Sequence, residues 1–241
     1  MNETTQALAA LLVAGHVTGD FVAQTQWMVS HKDRFSGVAA HVASVVALHL
    51  LFLAPFASRE VLLVVAALGL AHAGIDVTKS AISRRFPRAN FEWFVLDQLA
   101  HGVTLWFAWR ALAPDATLMA PFADVDPALL FTLGVGASAY AFNVNGVSSV
   151  VAMLLERTGL QVRTESGPSA GRVIGILERT FALTMILLDR WESVGLLLAA
   201  KSLARFKELD ERPWAEYYLV GTLLSLLGAT FLALGVQALL R

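Results

Sequence analysis

Apolar stretches long enough to cross a bilayer recur along this chain, and that repetition constrains the fold more than any single motif. They lie at roughly 5–29, 37–57, 60–83, 90–112, 128–155, 171–189, 191–206 and 214–240. Short charged or proline-bearing breaks separate them, such as HKDRFSG at 31–37 and APFASRE at 54–60. A helix needs about 20 apolar residues to span the hydrocarbon, and hydrocarbon tolerates only structures that satisfy their own backbone hydrogen bonds. The expectation is an all-α, polytopic transmembrane helical bundle of about eight helices. The seventh segment is short and carries Lys201 and Arg205, so the count becomes seven if it is a half-helix or an amphipathic surface helix.

Charge supports this reading. The 241 residues are 56% hydrophobic and only 15% charged, against about 25% charged in soluble domains. A net charge of −1 offers no basic surface for nucleic acid, and the absence of cysteine removes disulfides, thiolate chemistry and cysteine zinc sites together. Lys32 and Arg34, then Arg84, Arg85 and Arg88, then Arg157 and Arg163, then Lys207 and Arg212 fall on alternate loops. The opposite side offers Arg59 and an acidic loop, 113–127, with Asp115, Asp124 and Asp126. By the positive-inside rule the N-terminus is outside and the basic loops are cytoplasmic. The 241 residues read as one integral membrane domain. Residues 1–112 form a four-helix half bearing the polar residues, 113–127 an external loop, and 128–241 a C-terminal helical half.

Three ionisable pairs interrupt the apolar runs: HVTGD at 16–20, HAGID at 72–76 and DQLAH at 97–101. Residues four apart share one helix face. His16/Asp20, His72/Asp76 and Asp97/His101 therefore present three ligand-type faces, to which His41 adds a fourth helix. The reversed order in the third pair matches the reversed chain direction, so each aspartate is the member nearer the cytoplasm. Asp76 lies 8 residues before Arg84, Asp97 9 after Arg88 and His41 7 after Arg34, which sets them roughly 10–14 Å inside the basic loops. Asp20, 12 residues before Lys32, is deeper unless the first helix tilts or unwinds near Gln24.

An aspartate in hydrocarbon costs at least about 2.5–3.5 kcal/mol, so three of them require compensation. Imidazole and carboxylate together suit zinc, manganese or iron, and helical bundles hold pairs of ions on ligands from facing helices. The expected ligands to one or two divalent ions are His16, Asp20, His41, His72, Asp76, Asp97 and His101. Gln24 and Gln98 stand as supporting partners. Ion pairing or a proton relay is the competing explanation. His49 reads as an apolar-face or supporting histidine and His31 as a solvated loop residue. Lys32 fits plain positive-inside topology, while Lys79, one turn beyond Asp76, fits anion binding equally well.

In the C-terminal half, Glu178, Arg179, Lys201, Arg205 and Glu216 are further charges within apolar surroundings. Arg179 and Arg205 match phosphate geometry, and an ion pair such as Glu178–Arg205 explains them as well. Asn143 and Asn145 are expected to hydrogen-bond between helices. The stretches GHVTG and GRVIG are small-xxx-small packing motifs, suited to close helix approach or oligomer formation.

Taken together, HVTGDFVAQTQWMVSHK, His41, HAGIDVTKS, DQLAH, GRVIGILER, AKSLARF and EYYLVGT resemble, over nearly the whole chain, the bacterial membrane proteins catalogued as domain of unknown function 3307. The resemblance implies a multi-pass protein of the bacterial inner (cytoplasmic) membrane and brings no established activity. The functional expectation rests on the residues. It is a membrane-embedded, metal-dependent enzyme, a hydrolase or phosphatase acting from the cytoplasmic side on a phosphate-bearing, lipid-like substrate. Asp20, Asp76, Asp97 and Lys79 would be catalytic, and Lys79, Arg179 and Arg205 would bind the anion. The alternatives are a divalent-metal or proton transporter or channel using the same residues, and a non-catalytic membrane interaction module.

Overall fold

The computed structural model describes residues 2–86, 89–159, 168–206 and 210–241, with the side chains of 168–170 set aside. Arg88, Arg163 and Lys207, three of the basic loop residues used for orientation, lie outside the described residues. Within them the chain is helical, with no strand.

The first expected segment does not run unbroken to residue 29. Helix α1 (Glu3–Thr18) opens on Asn2, whose Oδ1 accepts from the Thr5 amide at 2.8 Å. It widens into a π-helical turn over Gly19–Ala23, and at Gln24 the backbone leaves the helix (φ −71°, ψ 107°). A short α2 (Gln26–Ser30) follows, capped by Thr25. Then come α3 (Phe35–Phe52), α4 (Arg59–Arg85) and α5 (Asn90–Leu112). After the 113–127 loop, α6 (Pro127–Ala141) passes through a second π turn (Phe142–Gly146) into α7 (Val147–Thr158). Helices α8 (Pro168–Leu187), α9 (Trp191–Ala204) and α10 (Arg212–Leu240) complete the chain.

Among the described residues five helices are long and apolar enough to cross a membrane: Glu3–Ala23, Phe35–Phe52, Arg59–Arg85, Pro127–Thr158 and Arg212–Leu240. Helix α5 has the length but not the hydropathy, because it carries Glu92, Asp97, Gln98, His101 and Arg110 among its apolar residues. Helix α9 has 14 residues, in keeping with the short seventh segment.

The chain divides into two compact units, Met1–Ala141 and Phe142–Arg241. The division therefore falls beyond the acidic loop, because α6 packs on α1: a Cβ at Gly134 would sit 2.8 Å from the Ala10 carbonyl carbon. In the first unit α1 is the central helix, contacted by α3, α5 and α6, while α4 packs on α3 and α5. Each surrounding helix buries one stripe. On α3 it is Gly37, His41, Val45 and His49; on α4 it runs from Val61 and Val65 to His72 and Asp76. On α5 it runs from Asp97 and His101 to Leu105, Ala108 and Leu112. One end of the unit is thus an apolar plug of Leu8, Leu12, Leu53, Val65, Leu105 and Leu112 with their neighbours, and the other end is polar. In the second unit α10 packs on α7 and α8, and α8 on α9.

Candidate metal centre

The polar ends of these stripes meet. Helix α1 supplies His16, its π turn Asp20, α3 His41, α4 His72 and Asp76, and α5 His101. The histidines are 2–5% exposed. His41 Nε2 and His72 Nε2 are 3.1 Å apart, and each lies 3.5 Å from Asp20 Oδ1. Asp76 Oδ2 is 3.5 Å from His41 Nε2 and 3.9 Å from His72 Nε2. The other oxygen of Asp20, Oδ2, faces His16 Nε2 at 3.6 Å. Three sets bring ligand atoms within 4.8 Å of one another: His16, Asp20 and His101; Asp20, His41 and His72; and His72, Asp76 and His101.

Close helix approach makes this possible. A Cβ at Gly15 would stand 3.0 Å from the His49 Cα, and one at Gly19 would stand 2.8 Å from Val45 Cγ2. The two glycines of GHVTG let α3 lie against α1 where His41 must reach Asp20. The π turn begins at Gly19, next to Asp20; such single-turn irregularities frequently mark functional positions.

Several buried polar atoms in the cluster make no hydrogen bond: His16 Nε2, His101 Nε2, Asp20 Oδ1 and His41 Nδ1. His101 Nδ1 is 2.9 Å from the Asp97 carbonyl, to which it can donate; in that tautomer its Nε2 lone pair faces the cluster. A ring nitrogen held this way is the usual second support of a metal-binding histidine.

Asp97 is set apart from the other two aspartates. It belongs to none of the three sets and lies on the Nδ1 side of His101, with Oδ1 at 3.8 Å. Its Oδ2 accepts from Lys79 Nζ at 2.7 Å and Gln98 Nε2 at 3.0 Å. The Asp97 backbone carbonyl therefore steadies the ring, while its carboxylate stands outside the three sets. Lys32, read from sequence first as a topology residue, reaches Asp76 Oδ2 at 3.8 Å. Gln24 ends the π turn and, unlike Gln98, makes no hydrogen bond to the cluster among the described residues. His49 is buried with Nδ1 2.9 Å from the Val45 carbonyl; its ring centre is 6.3 Å from that of His16. His31 Nδ1 contacts the Trp27 carbonyl at 2.9 Å, away from the cluster. Sequence spacing hinted at His49, which continues the four-residue stripe of α3. Nothing local pointed to Lys32, whose contact crosses 44 residues of chain.

The charges balance incompletely. Among the described residues three carboxylates face two ammonium groups, and the ion-pair partners of Asp20 are histidines. That is an environment for a cation.

The C-terminal charges lie in the second unit. Arg179 is 5% exposed and clamps the second π turn. Nε donates to the Asn143 carbonyl and Nη2 to the Val144 carbonyl, each at 3.0 Å, and further donors reach Ser148 Oγ and Ser225 Oγ. Its donors are thus largely taken by uncharged protein acceptors. Glu178 pairs with Lys201 at 2.5 Å, Arg212 with Glu216 at 2.9 Å, and Arg205 lies over Trp214 at 5.5 Å. Asn145 accepts from Arg172 at 3.0 Å, as an interhelical partner should. Gly171 of GRVIG faces open space, and Gly175 lies under the Arg179 guanidinium.

No curated protein and no solved structure matches the chain. The C-terminal stretches GRVIGILER, AKSLARF and EYYLVGT fall beyond residue 125, where the family match ends. That match covers residues 7–125, a span that holds every member of the cluster, and the chain belongs to the family described as Protein of unknown function (DUF3307).

Proposed function

We propose that this protein is a polytopic membrane protein of the bacterial inner membrane whose N-terminal bundle is a metal-dependent hydrolase for phosphate-bearing lipids. The observation that carries the reading is the convergence of six buried or nearly buried imidazole and carboxylate groups from four helices, with Asp20 between the histidines. Membrane insertion is supported by the inverted polarity of the bundle. The outer faces of α4 and α5 carry Leu62, Leu70, Leu99 and Phe107, each more than half exposed, while the ionisable groups face inward. The polar end, with Lys32, Lys79, Arg84 and Arg85, is placed on the cytoplasmic side by the positive-inside rule.

A divalent ion at the cluster would act as a Lewis acid toward water and a phosphoryl oxygen. His16, Asp20, His41, His72, Asp76 and His101 would hold it. Asp97 would orient His101, and the ammonium groups of Lys32 and Lys79, both partly exposed at the mouth, would receive the anionic group. In the reaction a water oxygen bonds to phosphorus, the ester P–O bond breaks, and the products are a lipid alcohol and inorganic phosphate. The apolar plug favours this reading over transport, because it closes the bundle at the end away from the lysines, whereas a carrier needs access from both faces.

The test is metal content and phosphate release from lipid phosphates by detergent-purified protein loaded with zinc, manganese or iron. Bound metal and phosphate release in the wild type, both lost in monodisperse Asp20→Ala, are expected. A wild type that binds none of these metals overturns the proposal.

A further inference from the structure

The two oxygens of Asp20 face different partners, and the donors around them differ in number. Oδ1 is 3.5 Å from both His41 Nε2 and His72 Nε2, which are 3.1 Å apart, and Asp76 Oδ2 approaches the same two nitrogens at 3.5 and 3.9 Å. Donors about 2.0–2.1 Å from a tetrahedral ion stand about 3.3–3.4 Å from one another. Those five contacts are therefore close to the edge length of a coordination tetrahedron, with His41 and His72 common to both carboxylates. Oδ2 faces His16 Nε2 at 3.6 Å, and His101 is the third member of that set. Both of these histidines are at least 95% buried, and the Nε2 of each makes no hydrogen bond. His101 also lies near His72 and Asp76, but that side already has four donors.

Building on the metalloenzyme reading, we infer that the cluster holds two divalent ions in unequal sites bridged by Asp20. The first is a closed site of His41, His72, Asp76 and Asp20 Oδ1; the second is an open site of His16, His101 and Asp20 Oδ2 that takes a phosphoryl oxygen. Four protein donors are the mark of a structural site, and three are the mark of a site that keeps a position for water or substrate. A shared carboxylate suits the spacing of about 3.5–4 Å found in two-metal hydrolytic centres. Charge supports the same division. With Lys32 and Lys79 in place the carboxylates carry one net negative charge, which a single dication already exceeds, so the second ion binds best with an anion.

The experiment is a cobalt(II) titration of the full-length protein in detergent, following cobalt per chain and the visible d–d bands, with inorganic phosphate as the probe anion. Two ions per chain are expected in two steps. The first step should give the intense bands of four-coordinate cobalt, indifferent to phosphate; the bands of the second should shift with phosphate and tighten at least tenfold in its presence. His101→Ala and, from a different helix, His16→Ala should each keep the first step and lose the second, while Asp76→Asn weakens the first at least tenfold. One cobalt per chain, a first step that responds to phosphate, or equal loss of both steps in His101→Ala and His16→Ala would overturn the two-site inference while leaving the hydrolase reading in place. No cobalt at all would overturn both.

Discussion

At the scale of single residues, Lys32 and Lys79 show how distance sets consequence. Lys79 holds Asp97 at 2.7 Å, and Asp97 is 5% exposed. Replacing this lysine leaves a buried carboxylate with Gln98 as its remaining donor, and breaking a buried pair on one side costs about 3–5 kcal/mol. Lys79→Met is expected to lower unfolding stability in detergent by about that amount. Lys32 lies 3.8 Å from Asp76 with its side chain 30% exposed, in the range where an ion pair contributes about 1 kcal/mol or less. Lys32→Met should barely move the same unfolding curve. Asp97→Asn tests the supporting role argued from its place behind His101. Because the Asp97 carbonyl that holds His101 Nδ1 at 2.9 Å is kept, metal binding should weaken by less than about tenfold, as read by competition with a chromogenic chelator; complete loss would make Asp97 a ligand.

At the scale of elements, one irregular turn and one close crossing position the chemistry of the first unit. A methyl group at Gly15 meets the His49 backbone at 3.0 Å, so α3 must move away from α1, and His41 moves with it. Overpacking of this kind costs about 1–3 kcal/mol. Gly15→Ala is expected to show both that loss in thermal unfolding and weaker metal binding, while Gly136→Ala, with open space around its Cβ position, should show neither. The second π turn depends on Arg179. Lysine lacks the planar fork that reaches the Asn143 and Val144 carbonyls together. Arg179→Lys should lose stability by about 1–3 kcal/mol for buried acceptors left unpaired, and Arg179→Met at least as much, both measured by unfolding in detergent.

At the scale of the whole molecule, the first unit is a bundle whose buried stripes change character along their length, from leucine and valine at the plug to histidine and aspartate at the mouth. A ligand that binds only the folded cluster stabilises the protein by mass action, by about 2.7 kcal/mol at a hundredfold excess over Kd. Hydrogen exchange with and without zinc should therefore show new protection in α1, α3, α4 and α5. Equal exchange in the two conditions would place zinc elsewhere.

Helicity, the approximate helix ends and the identity of the polar residues were legible in the order of residues, because they depend on apolar runs of bilayer length and on the four-residue spacing of pairs such as His72 and Asp76. The break at Gln24 was legible only as a condition attached to the depth of Asp20. What only the tertiary structure decided is who meets whom. Asp97 turns to the far side of the His101 ring and Lys32 returns to Asp76. Arg179 is absorbed by backbone carbonyls, and Glu178 pairs with Lys201. Each of these depends on which helices are neighbours and how they are rotated about their axes. That rotation is set by small residues such as Gly15, Gly19 and Gly134 at crossings between segments distant in the chain. A one-dimensional pattern records that a glycine is present, but not which helix lies against it.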